Sequence, residues 1–198
     1  RSQTVTGVQT CALPIFQGKG LPASLLMASV QAMLRSQADA GISVKEAVER
    51  ANRLLEDRVQ TGTFVTLFYG FLEPSENRVS YVNAGHNPPL VRRADGTVEE
   101  LSAGGLVLGV MGSVTYQVEQ VELGIDDVLL LYSDGVTEAM NEDGEPFGEG
   151  RLREVVDDAG GRTAAEVLQE ILEAVERFTG DTEQSDDVTV MVVRRTDA

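Results

Sequence analysis

Two apolar runs in this chain each break into a carboxylate, and they constrain the fold more than any other feature. Val128-Leu129-Leu130-Leu131-Tyr132 runs into Ser133-Asp134-Gly135, and Ser185-Asp186-Asp187 opens into Val188-Thr189-Val190-Met191-Val192-Val193. Continuous runs of β-branched and large apolar residues read as strands buried on both faces. Asp134 and Asp186 are then expected where a core strand meets solvent. Carboxylates on a rigid frame suit hard cations, since Mg²⁺ and Mn²⁺ take oxygen ligands and retain several waters. The pair points first to metal-assisted hydrolysis.

The remaining periodicity predicts what surrounds those strands. From Pro22 to Gly41 an apolar or small stripe reads as one helix, and Ser43 with Glu46 is a capping-box pattern opening a second, with Val44, Ala47, Val48, Ala51, Leu54 and Leu55 at helical spacing. The period then changes to two. Residues 63–72 and 78–83 predict a hairpin, 90–93 and 97–101 another, and 114–123 a half-solvated strand before 127–133. Helices return at 150–159 and 164–178, the latter opened by a Thr163/Glu166 capping box and closed near Gly180, before a last strand at 188–194. Helix pairs with mainly antiparallel strands predict an α+β sandwich in which helices cover the outer faces of packed sheets.

Charge narrows the partners. Sixteen basic and 32 acidic residues leave a net charge of −16, which opposes binding to nucleic-acid backbones and to anionic membranes. No apolar stretch approaches the ~20 residues needed to span a bilayer. Cys11 is the single cysteine and His86 the single histidine, so neither an internal disulfide framework nor a Cys/His zinc site is available. A soluble cytoplasmic protein of one domain is expected. The acidic residues are also unevenly spread: 1–38 contain no Asp or Glu, and the following 160 residues carry all 32. Arg1 to Phe16 has neither a clean alternation nor a helical stripe, and it resembles a translated cloning or sequencing adapter. Residues 1–16 are therefore set apart as a non-native leader and 17–198 taken as the domain. The competing reading is a native edge strand near Val5 to Val8.

Each motif has a plain structural counterpart. Asp134-Gly135 lets the backbone turn tightly beside a cation or phosphate, but an Asp-Gly turn also simply ends strands. Asp186 and Asp187 alternate sides, so one of them faces a shared site. Gly18-Lys19-Gly20 ahead of the first helix offers Lys19 and a helix N-terminus to an anion, though Leu13 and Gly20 fail the Walker pattern. Asn141-Glu142-Asp143-Gly144 fails the register of a calcium loop. His86, in Asn83-Ala84-Gly85-His86-Asn87-Pro88-Pro89, either donates a proton or binds phosphate from an exposed loop, or stabilises the turn.

Taken in order, Gly-Lys-Gly-Leu-Pro-Ala-Ser-Leu-Leu-Met-Ala (18–28), Phe-Val-Thr-Leu-Phe-Tyr-Gly (64–70), Tyr-Val-Asn-Ala-Gly-His-Asn-Pro-Pro-Leu (81–90), Leu-Gly-Val (108–110), Leu-Tyr-Ser-Asp-Gly-Val-Thr-Glu-Ala (131–139), Phe-Gly (147–148) and Asp-Asp-Val-Thr-Val (186–190) resemble the SpoIIE/RsbU-type branch of the PPM (PP2C-like) protein phosphatases. The resemblance implies an α-β-β-α sandwich and two Mn²⁺ or Mg²⁺ ions held by aspartates. A metal-bridging water would attack phosphoserine or phosphothreonine, on a phosphorylated STAS-domain anti-anti-sigma protein in a bacterial partner-switching pathway. By position, Asp134 and Asp186 match the two C-terminal metal-binding aspartates, Gly135 the glycine beside the first, and Asp187 the acid after the second; His86 and Lys19 are candidates for substrate binding. The family motif Asp-x-x-Gly-Lys-Gly has its acid where this chain has Ile15, and nothing acidic precedes it. The expectation is thus a domain lacking its first strands and half its metal ligands, weakly active or inactive, from a parent with an upstream sensor domain. The alternative is a pseudophosphatase that binds its partner without hydrolysis.

Overall fold

A computed structural model describes residues 9–16, 21–56 and 64–197. The elements are β1 (Gln9–Phe16), α1 (Leu21–Asp39), α2 (Val44–Glu56), β2 (Val65–Glu73), β3 (Arg78–Ala84), β4 (Leu90–Arg92), β5 (Val98–Glu100), β6 (Gly104–Gly105), β7 (Glu119–Glu122), β8 (Val128–Tyr132), α3 (Asp134–Thr137), α4 (Gly148–Asp157), α5 (Ala164–Thr179) and β9 (Val190–Arg194). They fall into two compact units. One takes in the described residues up to His86 together with Ser102–Glu122; the other holds Asn87–Leu101 and the residues from Leu123 onward.

The first unit is a sheet ordered β1-β2-β3-β6, with β7 also on β3. All its pairings are antiparallel except the short β3–β6 contact, where a Cβ on Gly104 would overlap the Asn83 backbone. Alternate residues of β2 and β3, Val65, Leu67, Tyr69, Val82 and Ala84, share a core with Val30 and Leu34 of α1 and the Val44, Ala47, Val48, Ala51 and Leu55 stripe of α2. Ser43 Oγ accepts from the Glu46 N–H, the predicted helix start. Each fully buried leucine here contributes about 1.5–3 kcal/mol of transfer free energy.

The second unit repeats the plan with a sheet ordered β5-β4-β8-β9. Val128, Leu130 and Tyr132 of β8 turn one face toward Leu152 and Val156 of α4 and Val167, Ile171 and Val175 of α5. The Thr163/Glu166 capping box forms in both directions, and α5 ends at Gly180 with φ 56°. Each unit is thus a mainly antiparallel sheet with its own helix pair and core. Among the described residues no helix is long and apolar enough to cross a membrane.

Several boundaries differ from expectation. The predicted strand 114–123 pairs only over β7. Tyr116 is buried and Val114 and Val118 pack against the first core, so the alternation recorded which side chains face the core and not whether a neighbouring strand lies within reach. The last strand begins at Val190, not Val188, and it is not buried on both faces: it closes the sheet as the end strand, with Met191 42% exposed. β8, by contrast, is buried throughout, as its run predicts. Gln9–Phe16, set apart on composition, pairs with β2 along its whole length. The ladder joins backbones, and an uncharged, apolar-rich segment satisfies it whatever its origin.

Candidate active site

β8 and β9 are antiparallel neighbours, with Tyr132 opposite Val190. The end of one strand therefore meets the start of the other, and the segments carrying Asp134 and Asp186 emerge side by side. Ser133 binds them together. Its N–H donates to the Thr189 carbonyl at 2.9 Å, its hydroxyl donates to the Asp187 carbonyl at 2.9 Å, and its Oγ accepts from the Thr189 N–H at 2.8 Å. Ser133 is 6% exposed, so these bonds are shielded from competing water.

Gly135 follows from the same closeness. A Cβ there would run into the Asp187 carbonyl, so the glycine serves approach between loops as much as turning. Asp134 opens the one-turn helix α3, half-buried, with Oδ1 accepting from the Gly135 N–H at 2.9 Å. Asp186 and Asp187 are exposed, and Asp186 Oδ1 accepts from the Asp187 N–H at 2.7 Å. The arrangement joins the loops that carry the three aspartates on a frame of two hydrogen-bonded strands. Among the described residues no group of three or more His, Cys, Asp or Glu is placed to hold a metal.

Of the other two candidates, His86 alone is among the described residues. His86 belongs to the first unit and is buried, 6% exposed. Its N–H donates to Asn83 Oδ1 at 2.8 Å and its Nδ1 lies 3.4 Å from Thr66 Oγ1. The bond to Asn83 is made by the His86 backbone, and the imidazole is buried where the proton-donor reading expects it exposed. Lys19 lies outside the described residues. Sequence reasoning missed Ser133, whose partners stand more than fifty residues on; the one local signal is a small hydroxyl residue at the end of a buried apolar run.

Comparison with known proteins gives a consistent set of likenesses. The family model described as Stage II sporulation protein E (SpoIIE) matches residues 16–196. Phosphoserine phosphatase RsbU of Bacillus subtilis (strain 168) is 31% identical over 179 residues, covering 90% of this chain and 53% of its own length. The crystal structure of the RsbU and RsbW domains of Rv1364c from Mycobacterium tuberculosis matches with a TM-score of 0.77 at 25% identity, over 96% of this chain and 52% of that one. The catalytic domain of serine threonine protein phosphatase PstP in complex with 2 manganese ions matches at 0.68 over 98% of this chain and 90% of that one; at 19% identity it is a likeness of fold. The chain spans about half or less of the length of the curated relatives it matches.

Proposed function

The chain belongs to the SpoIIE family, and on that premise we propose that it is the phosphatase module of a cytoplasmic signalling protein. It hydrolyses phosphoserine or phosphothreonine on a regulatory partner, a phosphorylated STAS-domain anti-anti-sigma protein in a partner-switching pathway. The observation that carries the reading is the Ser133 clamp, which ties the Asp134 loop to the Asp186-Asp187 loop at the end of β8. The name of the 31% identical relative, a phosphoserine phosphatase, and the presence of RsbU and RsbW domains in one matched structure support it.

Asp134 and Asp186, on loops tied together through Ser133, are the residues that would hold one Mn²⁺ or Mg²⁺, ions commonly held by one or two carboxylates with several waters. They do not fit two ions, since no larger donor group occurs among the described residues and Ile15 stands where the family motif has an acid. A bound divalent ion supplies charge neutralisation and a more acidic water. The chain's own residues contribute position: Ser133 fixes the loop spacing, Gly135 permits it, and Asp187 lies beside Asp186 at the shared end. Residues 1–16 are a foreign leader in this reading, supported by their lack of acids, although Gln9–Phe16 forms the edge strand beside β2.

Weak, manganese-dependent release of phosphate from a phosphorylated STAS protein is the expected behaviour of the 198-residue chain, abolished in Asp134→Asn. Equal turnover by both proteins would remove Asp134 from the site. The missing acid at 15 favours a second reading, a pseudophosphatase; stable capture of the phosphoprotein with no phosphate release at any manganese concentration would establish that one instead.

A further inference from the structure

A groove of about 290 Å³ opens in the unit that carries both aspartates. Gly135, Ser185 and Val188 line it, so it adjoins the two clamped loops. Its apolar lining includes Val175 and Leu172 of α5 and Met140. Leu172 and Met140 are 39% and 40% exposed, large apolar side chains left in water around a concavity. Glu176 and Glu183, both exposed, also line it, and among the described residues no Lys or Arg does. Thr182 adds a polar feature: its Oγ1 is shielded from solvent and has no hydrogen-bond partner among the described residues.

We propose that this groove docks the phosphoprotein itself, taking one large apolar side chain from the segment that flanks the phosphorylated residue, with a neighbouring Lys or Arg paired to Glu176 and Glu183. The proposal rests on the phosphatase reading above for the identity of the occupant. Size sets the first limit, because the volume lies at the lower end of the range of ligand pockets and admits a side chain, not a folded element. Charge sets the second. A chain of net charge −16 repels an acidic phosphorylated segment, and basic residues beside the anchor reverse that repulsion where the groove presents only carboxylates. Position sets the third: an anchor held there keeps its neighbours beside Asp134 and Asp186, which raises the local concentration of the phosphorylated side chain.

Docking is separable from hydrolysis, so the test uses short fluorescein-labelled peptides without phosphate, in a Gly-Ser background. One carries a leucine between two lysines and the other a leucine between two glutamates; fluorescence anisotropy reads their affinity for the 198-residue chain. The lysine peptide is expected to bind roughly tenfold tighter than the glutamate peptide, a difference of about 1.4 kcal/mol. Leu172→Asp, with its fold checked by circular dichroism, weakens the lysine peptide by a similar factor, and Glu176→Lys reverses the preference between the two. No binding to the wild type, or binding indifferent to both substitutions, overturns the proposal. A monomer–dimer equilibrium abolished by Leu172→Asp, with no peptide bound, overturns it in favour of a second copy of the chain. Turnover of the phosphoprotein without peptide binding removes the groove alone, whereas peptide binding without turnover removes the catalytic reading alone.

Discussion

Ser133 makes three hydrogen bonds across to the loop before β9, and its hydroxyl is irreplaceable by a methyl group in two of them. Ser133→Ala leaves the Thr189 N–H and the Asp187 carbonyl short of a partner, at an expected cost of about 1–3 kcal/mol; urea denaturation measures it. The same variant should bind Mn²⁺ more weakly by calorimetry, since the two acidic loops are no longer held at one spacing. Gly135→Ala is expected to be worse, because the group its Cβ meets is backbone and has no rotamer in which to swing aside. Asp134 and Gly135 were legible in the sequence as an acid and a glycine at the end of an apolar run; Ser133 was not, since nothing local marks a hydroxyl whose partners are distant in the chain. Position 15 offers the converse prediction. Ile15→Asp restores the acid of the Asp-x-x-Gly-Lys-Gly motif and should raise manganese-dependent turnover by at least roughly tenfold, about 1.4 kcal/mol of transition-state stabilisation. An unchanged rate in Ile15→Asp would mean that a missing carboxylate at 15 does not limit the chain.

Elements were legible where a local rule governs them and illegible where a distant partner does. Both capping patterns sit at true helix starts, and Thr163 with Glu166 forms the complete reciprocal box. The one-turn helix α3 and the two-residue strand β6 carry no periodic signal, because they exist through their neighbours. The 108–111 segment illustrates the point: it is held by Asn52 of α2, whose Nδ2 donates to the Met111 carbonyl at 2.7 Å and whose Oδ1 accepts from the Gly109 N–H at 2.9 Å. Asn52 is fully buried on an otherwise apolar helix face, so a side chain that reads as an interruption of the stripe is the strut between helix and loop. These two cases predict different costs. Thr163→Ala loses an exposed cap and should cost about 1 kcal/mol, whereas Asn52→Ala removes both bonds of a fully buried amide to the partly buried Met111 carbonyl and Gly109 N–H and should cost about 2–3 kcal/mol. Chemical denaturation of both variants orders them, and an Asn52→Ala cost no larger than that of Thr163→Ala would show that the loop finds other partners.

Two opposing electrostatic effects act on the molecule as a whole. With a net charge of −16, the folded chain repels itself at neutral pH, and protonating carboxylates relieves that strain. Local pairs pull the other way. Burial pushes the Asp127 carboxyl up, but the Arg93 guanidinium at 2.8 Å and the N–H groups of Gly124 and Ala94 outweigh it and hold the group below its ordinary range. The hydrogen bond from Arg93 does the same to Glu99. A carboxyl depressed in the folded state binds fewer protons than in the unfolded chain, so its stabilisation is present above the ordinary carboxylate pKa of about 4 and is lost as pH falls below it. At the alkaline end burial pushes Tyr69 and Tyr132 up to about 12; their contribution is full below the ordinary tyrosine value of about 10 and is lost as pH rises through the folded value. Salt separates the global effect from the local one. At 0.15 M the Debye length is about 8 Å, which screens surface repulsion and leaves a pair such as Arg93–Asp127, with Asp127 only 4% exposed, nearly intact. The melting temperature at pH 7 should therefore rise as salt is added, and the pH of greatest stability should lie lower in dilute buffer than at 0.15 M, where the local pairs set it. Thermal melts between pH 3 and 8 at both ionic strengths check this; an optimum that stays fixed would show that self-repulsion contributes nothing to the balance.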